Sequence, residues 1–284
     1  MTPRVVTTKA ALRGELAAAR GAGRTVGLVP TMGYLHEGHA SLARRARAEN
    51  DVVALSIFVN PTQFAPGEDL DRYPRDLPHD LAVAESTGVD LVFSPTAEEM
   101  YEPGHATWVE VERLGDHLCG ASRPGHFRGV ATVVTKLLAL CRPDRAYFGQ
   151  KDAQQAFIIR RMAADLDLGA DIVVCPIIRE ADGLAKSSRN VYLTSEERTQ
   201  APVLFAALRD GEALIESGER EAAAVLLAVR SGLEMAPLAR VDYVELVSAD
   251  TLAPVEPLRG EVLLAAAVWF GRTRLIDNVV LDLG

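Results

Sequence analysis

The sequence predicts an α/β protein, with a parallel β-sheet in its longer first part and a smaller α+β domain after it. Up to residue 176, short apolar runs alternate with stretches whose apolar residues recur at helical spacing. Continuous apolar runs are typical of strands covered on both faces, as in a parallel sheet. Beyond that point, two helical patterns precede three strand-like runs, the order of an α+β domain. We therefore predict a Rossmann-like domain over residues 1–176 and a smaller C-terminal domain over residues 177–284.

The elements of the first part follow from the positions of these runs. A helix is predicted around Lys9 to Arg20, and a buried strand begins at Val26. That strand turns into an amphipathic helix from His39, and the apolar run from Asp51 to Val59 forms the next strand of a βαβ unit. The later elements are a helix with apolar residues Leu77, Leu81 and Ala84, a strand after Asp90, a helix over Val130 to Leu138, a strand from Arg145, a helix from Gln150 and a strand from Asp171.

Two regions depart from this alternation. The stretch from Glu98 to Arg128 is rich in Gly and Pro and is predicted to be a long loop, which inside a compact domain is often functional. From Arg179 the chain becomes polar and rich in turns, and a domain junction is predicted near Pro176. The C-terminal domain has predicted helices near Ser195 to Ser217 and Ala222 to Leu233, and predicted strands over Val241 to Val247, Glu261 to Phe270 and Leu275 to Leu283.

Composition and charge argue against several classes of protein. Of the 284 residues, 48% are hydrophobic and 24% are charged, and the formal net charge of −9 disfavours a broad basic surface for nucleic acid or an anionic membrane. The N-terminus lacks an apolar signal region and no apolar run approaches the ~18 residues of a membrane span, so we expect a cytoplasmic protein. Cys119, Cys141 and Cys175 form no C-x-x-C pair, and we expect buried thiols rather than disulfides or a zinc site.

The strand-to-helix turn containing His36, Gly38 and His39 is the first candidate site. The first turn of a helix presents unpaired N–H groups and the positive end of the helix dipole, both of which favour phosphate. Glycine keeps that approach open, and two imidazoles can donate to a triphosphate. A zinc peptidase is a poor alternative because the histidines are three residues apart and a glycine separates them. A solvated or capping pair of histidines stays open from these residues alone.

Two further segments favour an anion, and each follows a predicted strand. Segment 186–189, Lys-Ser-Ser-Arg, supplies a point charge, a planar guanidinium and two hydroxyl donors suited to phosphates. Lys151 is suited to an α-phosphate, with Asp152 as a helix cap or a ribose contact. Alone, segment 186–189 is more typical of a solvated loop with a capping serine, and Lys151 alone is more typical of plain surface. Since parallel strands place their carboxyl ends on one edge of the sheet, the three segments together favour one nucleotide site there.

In chain order, these features resemble one enzyme family. H-x-G-H followed by a late K-S-S-R segment is similar to the nucleotidyl-transfer superfamily that includes class I aminoacyl-tRNA synthetases. Within it, the chain resembles the pantothenate synthetase (pantoate–β-alanine ligase) family. Family members often carry Met or Leu where this chain has Lys186, and an acidic residue where it has Gln150. The matching blocks span almost the whole chain and are PTMGYLHEGH, SIFVNPTQF, DLDRYPR, RPGHFRGV, RPDRAYFGQKDAQQ, READGLAKSSRNVYL and TRLIDNV.

The resemblance implies an ATP- and Mg²⁺-dependent condensation of (R)-pantoate with β-alanine through a pantoyl-adenylate, with release of AMP and pyrophosphate. It implies that Gln63 and Gln155 bind pantoate, with Asn60 as a further candidate, and that His39 is a proton donor. Neutral amides suit this substrate because they bind hydroxyl and carboxylate groups while leaving the carboxylate nucleophilic. The residues implied to offset charge on the phosphoryl oxygens are His36, His39, Lys151, Ser187, Ser188 and Arg189.

The resemblance also implies the remaining nucleotide contacts and a homodimer. No protein ligand is assigned to the metal. His126 and Arg128 are further pocket candidates, whereas Asp80, His79 and the acidic residues around Asp69 are expected on solvated faces. Backbone near Met32, Gly33, Gly149 and Ile178, plus Asp152, is expected to contact ribose and adenine. The expected ATP-binding set is completed by His36, Gly38, His39, Lys151, Lys186, Ser187, Ser188 and Arg189.

Three other functions fit parts of the pattern. An adenylyl- or cytidylyltransferase would share H-x-G-H but would need cations for a substrate phosphate, where this chain offers Asn60 and Gln63. A tRNA-charging enzyme disagrees with the net charge of −9. A non-catalytic nucleotide-binding protein would not need both His36 and His39. The expected partners are therefore ATP, pantoate and β-alanine, without nucleic acid or membrane.

Overall fold

The computed structural model describes residues 2–284, and the chain divides into two compact units, neither of which is continuous in sequence. The first unit contains the chain up to Val111, Pro124–Gly149 and Ile158–Pro176. The second unit contains Glu112–Arg123, Gln150–Phe157 and Ile177–Gly284. Each unit has its own β-sheet.

The first unit is built on a six-stranded parallel sheet. Its strands are β1 (Arg4–Val6), β2 (Val26–Thr31), β3 (Val52–Ile57), β4 (Leu91–Phe93), β5 (Arg145–Gly149) and β6 (Asp171–Cys175). The helices of the chain up to residue 176 are α1 (Lys9–Gly21), α2 (Glu37–Glu49), α3 (Leu77–Ser86), α4 (Ala97–Met100), α5 (Leu118–Ser122), α6 (His126–Cys141) and α7 (Ala153–Asp165). Of these, α5 and the start of α7 belong to the second unit.

The strand order of this sheet reverses next to β2. The order is β1-β4-β3-β2-β5-β6. From β2 the chain adds β3 and then β4 on one side, and it then adds β5 and β6 on the other side of β2. β2 and β5 pair through Gly27–Arg145 and Leu28–Ala146, at their amino-terminal ends. In open α/β sheets, ligands bind outside the carboxyl ends of the strands at such a reversal. The fold therefore points to the segments that follow Thr31 and Gly149.

The second unit is built on three antiparallel strands in the order β7-β8-β9. Side chains of its helices and strands form one apolar core, in which Leu208, Val229 and Leu264 are fully buried. The strands are β7 (Ala239–Ser248), β8 (Glu261–Phe270) and β9 (Thr273–Asp282), and the helices before them are α8 (Ser195–Gln200), α9 (Val203–Glu216) and α10 (Ala222–Glu234). The predicted fold class, a Rossmann-like parallel sheet with a smaller α+β part, is confirmed.

Three details of the predicted elements are wrong. β1 was not predicted, because a strand of three residues is too short to show a period. The predicted helix near Ser195 to Ser217 is two helices that are interrupted at Pro202, since proline has no N–H to donate within a helix. The expected loop from Glu98 to Arg128 is interrupted by α5 and overlaps the end of α4. It is also shorter, because α6 already begins at His126 after Gly125, whose φ is 81°.

Buried thiols were also expected, and the structure confirms them. Cys119, Cys141 and Cys175 are buried, free cysteines. Burial raises the pKa of Cys141 to about 12. Within residues 2–284, no helix combines the length and the apolar character needed to cross a membrane.

Gly129 lets helix α6 approach the turn that follows β3. A Cβ atom at Gly129 would overlap the carbonyl oxygen of Thr62 and lie 2.7 Å from the nitrogen of Gln63. These neighbours are main-chain atoms, which cannot move aside as the end of a flexible side chain can. The close approach therefore requires glycine inside a helix, where glycine is otherwise unfavourable.

Replacing Gly129 by alanine should therefore destabilise the protein by about 1–3 kcal/mol, the usual cost of overpacking. The matched control is Gly14→Ala in α1, where an added Cβ meets nothing within 4 Å. That change should stabilise the protein by about 0.5–1 kcal/mol, because alanine is the better helix former. Urea unfolding of the three proteins measures both effects, and equal stabilities of the two variants would contradict the close packing at Gly129.

Candidate active site

The two histidines cap the amino terminus of α2 with their rings. His36 is the N-cap residue, and its Nδ1 accepts a hydrogen bond from the N–H of Gly38 at 3.1 Å. The Nδ1 of His39 accepts one from the N–H of His36 at 3.3 Å. The two ring centroids are 4.1 Å apart. A ring nitrogen that accepts a hydrogen bond carries no proton, so each neutral imidazole carries its proton on Nε2 and can donate from there.

Gly38 is required for this arrangement. A Cβ atom at Gly38 would lie 2.8 Å from Cε1 and 2.9 Å from Nδ1 of His36. The ring of His36 can fold back over the first turn of α2 only because this space is empty. The capping role left open by the sequence is thus present, and it uses Nδ1 of each ring.

A buried carboxylate shapes the turn in front of the histidines. Asp80 of α3 is 1% exposed and accepts hydrogen bonds from the N–H groups of Tyr34, at 2.9 Å, and Leu35, at 2.6 Å. Gly33 has a φ of 82°, and a Cβ there would lie 2.9 Å from Oδ2 of Asp80. A ring nitrogen of His79 lies 2.9 Å from the carbonyl oxygen of Leu35.

The expectation that Asp80 lies on a solvated face is therefore wrong. The buried face of α3 contains Asp80 and Ala84, four residues apart, whereas Leu77 is exposed. Burial raises the pKa of the Asp80 carboxyl, although the N–H groups of Leu35 and Tyr34 and the nearby His79 favour its charged form. A charged residue one helical turn before a buried alanine was the signal in the sequence that could have revealed this role.

The amides after β3 form a buried hydrogen-bonded group. Asn60 donates from Nδ2 to Oε1 of Gln63 and to the carbonyl oxygen of Gly129, both at 3.2 Å. Gln63 is 9% exposed, and its Nε2 lies 3.1 Å from the sulfur of Met32, just after β2. The structure thus brings together the candidate residues Asn60, Gln63 and Met32. Asn60 is 1% exposed, and both polar atoms of its side chain bond to other groups of the protein. This favours a supporting role over direct substrate contact.

His126 and Tyr101 complete this group. Nδ1 of His126 lies 2.8 Å from the carbonyl oxygen of Gln63. The hydroxyl of Tyr101 donates to Oδ1 of Asn60 at 2.9 Å. The guanidinium of Arg128, the other candidate on α6, lies 4.7 Å from the ring centre of Trp108. Tyr101 was not identified from the sequence, because nothing along the chain links it to a residue 41 positions earlier.

In the second unit, Lys151 lies in a short 3₁₀ turn, Gln150–Asp152. This turn follows Gly149, the last residue of β5, directly in the chain. Nζ of Lys151 is 3.4 Å from the carboxylate of Asp152, and both side chains are partly exposed. Gln155, the second amide expected to bind pantoate, lies on α7 and is half-buried.

The segment Lys186 to Arg189 directly follows a tight hairpin, residues 179–185. Residues Arg179 and Ala185 pair in an antiparallel bridge, and the N–H of Lys186 donates to the carbonyl oxygen of Ile178 at 2.9 Å. Nζ of Lys186 forms an ion pair with Glu180 at 3.0 Å. After the hairpin, the chain forms a 3₁₀ turn, Ser188–Tyr192. Ser187 caps this turn, since its hydroxyl oxygen accepts a hydrogen bond from the N–H of Arg189 at 3.3 Å.

The candidate residues therefore fall into two groups, each held together inside one unit. The first unit carries the histidine cap, the turn at Met32–Gly33, the amides Asn60 and Gln63, and Gly149. The second unit carries Gln155 and the two cationic segments, together with Asp152 and Ile178. Among residues 2–284, no three His, Cys, Asp or Glu side chains are grouped closely enough to hold a metal ion by themselves.

The reversed strand order, with polar segments after the carboxyl ends of its strands, defines a doubly wound α/β protein, a class whose members typically bind ligands at this edge of the sheet. The particular family is shown by sequence. Residues 4–280 match the model of the pantoate–β-alanine ligase family, and the chain belongs to that family.

Named relatives and solved structures agree with this assignment. The pantothenate synthetase of Moorella thermoacetica is 60% identical over 278 residues, covering 98% of both chains. Crystalline pantothenate synthetase from Thermus thermophilus matches with a TM-score of 0.92 and 49% identity, covering 97% of this chain and 98% of that one. A Francisella tularensis pantoate–β-alanine ligase, complexed with β,γ ATP and β-alanine, matches with a TM-score of 0.79 and 32% identity, covering 98% and 97%.

The buried carboxyl of Asp80 predicts a pH dependence of stability. Because its pKa is raised in the folded protein, its contribution is fully present below the ordinary value of 3.8 and is lost as the pH rises through the raised pKa. Asp80→Asn has no such proton. Above about pH 4, the free energy of unfolding of the wild type, measured by urea unfolding, should therefore fall relative to that of the variant until the pH has passed the raised pKa. A constant difference, or one of opposite sign, would contradict this account.

Proposed function

We propose that this protein is an enzyme that condenses (R)-pantoate with β-alanine, using ATP and Mg²⁺, and releases pantothenate, AMP and pyrophosphate. The observation that carries the proposal is the pair of imidazoles at the amino terminus of α2. Both Nδ1 atoms are used in the cap, so both rings carry their donor proton on Nε2 at a helix end that favours phosphate. Membership of the pantoate–β-alanine ligase family supports the choice of acid and amine.

Recognition of pantoate is assigned to the amides of Gln63 and Gln155. A neutral amide can donate to a carboxylate or accept from a hydroxyl, and it leaves the carboxylate free to attack. The bonds from Asn60 and the contact with Met32 orient the amide of Gln63 before substrate arrives, which reduces the entropy lost on binding.

In the first chemical step, a carboxylate oxygen of pantoate attacks the α-phosphorus of ATP and pyrophosphate leaves. The product is pantoyl-adenylate. Negative charge grows on the phosphoryl oxygens as the bond to the leaving group breaks. We assign its stabilisation to donors from Nε2 of His36 and His39, to Nζ of Lys151 and to the segment Ser187 to Arg189.

In the second step, the amine of β-alanine attacks the acyl carbon of the adenylate. The bond to the phosphate oxygen breaks, AMP leaves with the electron pair, and the amide nitrogen loses a proton. The mixed anhydride must be kept from water between the two steps, which we assign to closure of the segment that carries Lys186 to Arg189.

Nucleotide recognition is assigned to main chain at the ends of the strands. Met32, Gly33, Gly149 and Ile178 are the proposed backbone contacts to adenine and ribose, with Asp152 at the ribose. Mg²⁺ would be held largely by substrate phosphates and water, with one or two carboxylates at most. When bound, it would offset charge on the phosphoryl oxygens.

We also propose that the enzyme works as a homodimer in the cytoplasm, where ATP is available. Light scattering at working concentration tests the assembly.

ATP–pyrophosphate exchange with purified protein, Mg²⁺ and labelled pyrophosphate tests the reaction. We expect label to enter ATP only when pantoate is present and without any need for β-alanine, because the first step is reversible and precedes amine attack. The control omits pantoate. Exchange without pantoate, or no AMP with all three substrates, would point instead to a different nucleotidyltransferase or to a nucleotide-binding protein without this activity.

The role of His39 predicts a difference between two variants of similar size. In His39→Asn, Oδ1 can take the place of Nδ1 in the cap, so α2 should stay intact while the donor at Nε2 is lost. Adenylate formation in single-turnover experiments should slow by about 10²–10³-fold, with a much smaller change in ATP affinity. His39→Gln can place a donor near the position of Nε2 and should retain more activity. Equal losses in rate and in ATP affinity would exclude the proposed role.

A further inference from the structure

Strand β9 carries two adjacent polar residues that are almost completely buried. Asp277 and Asn278 are each 3% exposed. Successive side chains of a strand point to opposite faces, so the two residues serve different neighbours. A carboxylate and an amide are costly to bury unless their hydrogen bonds are made. Their partners therefore explain why β9 is polar at its centre.

Asn278 holds the turn that carries Lys151. Its Nδ2 donates to the carbonyl oxygen of Gln150 at 2.9 Å and to that of Lys151 at 3.1 Å. Its Oδ1 lies 3.4 Å from Nε2 of Gln150. One of the two main-chain acceptors belongs to Lys151 itself, so the amide fixes the backbone from which the lysine side chain extends.

Asp277 holds the hairpin that leads to the second cationic segment. Its carboxylate pairs with both terminal nitrogens of Arg179, at 2.5 Å and 3.0 Å. Arg179 also donates to the carbonyl oxygen of Gly183 at 3.1 Å, and its guanidinium lies 3.6 Å from the ring centre of Phe205. Since Arg179 pairs with Ala185 across the hairpin, fixing this arginine fixes the arm that continues into Lys186.

Asp277 and Asn278, which hold these two segments, are neighbours in the chain. The N–H of Asn278 donates to Oδ1 of Asp277 at 2.8 Å, which fixes the carboxylate relative to the strand. Both residues sit in the ladder with β8, opposite Ala266 and Ala265. The turn of Lys151 and the segment after Arg179 are far apart in the chain, yet both are tied to the same short piece of β9.

We propose that Asp277 and Asn278 are positioning residues that set the spacing between Lys151 and the segment Lys186 to Arg189 around the phosphates of the nucleotide. This role rests on the function proposed above for those two segments. Phosphoryl chemistry depends mainly on placement and electrostatics, and a displacement of about 1 Å can cost about 10²-fold in rate. Both residues act through the cations that they place, so neither is a catalytic residue.

Two variants of unchanged size break these contacts separately. Asn278→Asp replaces the donating amide by an oxygen that faces two carbonyl oxygens. Asp277→Asn removes the charge that pairs with Arg179. The matched control is Asp242→Asn in β7, which breaks an ion pair of the same sheet, to Arg274 at 2.7 Å. Asn278→Ser, which keeps one donor, is used if Asn278→Asp does not fold.

Hydrogen–deuterium exchange without any ligand is the first measurement, and it does not depend on activity. We expect Asn278→Asp to speed exchange over residues 150–152 and Asp277→Asn to speed it over residues 178–189. Asp242→Asn should change neither region. If both regions exchange as in the wild type, the two residues do not hold these segments and the proposal is wrong, whatever reaction the protein catalyses.

Pantoate-dependent ATP–pyrophosphate exchange is the second measurement. Each variant should lose about 10–100-fold in kcat with little change in the KM for pantoate, whereas Asp242→Asn should keep wild-type kcat. Adding Asn278→Asp to Lys151→Ala should change the rate of Lys151→Ala by no more than about twofold. If the double variant instead loses the product of the two single-variant factors, Asn278 does not act through Lys151 and the proposal is wrong. A wild type without pantoate-dependent exchange would refute the proposed function, while the deuterium exchange would still decide the anchoring.

Discussion

The amino terminus of α2 is the constraint around which the first unit is arranged. A helix that begins just after a buried parallel strand must have its first N–H groups satisfied, and here two imidazoles do this with one nitrogen each. That solution needs an empty Cβ position at Gly38 and a turn before the helix held by the carboxylate of Asp80. In the proposed function, structural capping and anion recognition would therefore come from the same two side chains.

The buried amide of Gln63 and the two cationic segments belong to different units. The first unit presents a buried amide, Gln63, which other polar groups hold in place, whereas the cationic segments around Lys151 and Arg189 belong to the second. A protein with a net charge of −9 must bring cations to an anion locally. The hydrogen bonds of Asp277 and Asn278 show how the second unit fixes two such segments from one strand.

Periodicity succeeded where elements were long and failed where they were short or broken. The core strands and the long helices were placed within a few residues of their bounds, because apolar spacing reports directly on burial. β1 has three residues, and α6 starts in a polar stretch whose Gly129 resembles a loop residue until its contact with Thr62 is known. The prediction for Asp80 is wrong for a related reason. A carboxylate on a helix is expected to face solvent, and the N–H groups that donate to this one lie in a distant part of the sequence.

The sequence by itself determined the α/β class, the order of the elements, the family resemblance and the residue types suited to phosphates and to an acid with hydroxyls. These follow from local spacing and motif chemistry, and the roles of the individual site residues stay predictions. Only the tertiary structure decided the strand order with its reversal beside β2, the tautomers set by the histidine cap and the anchoring of Gln63 by Asn60. Those depend on contacts between residues distant in the chain, for which a single sequence carries no physical signal.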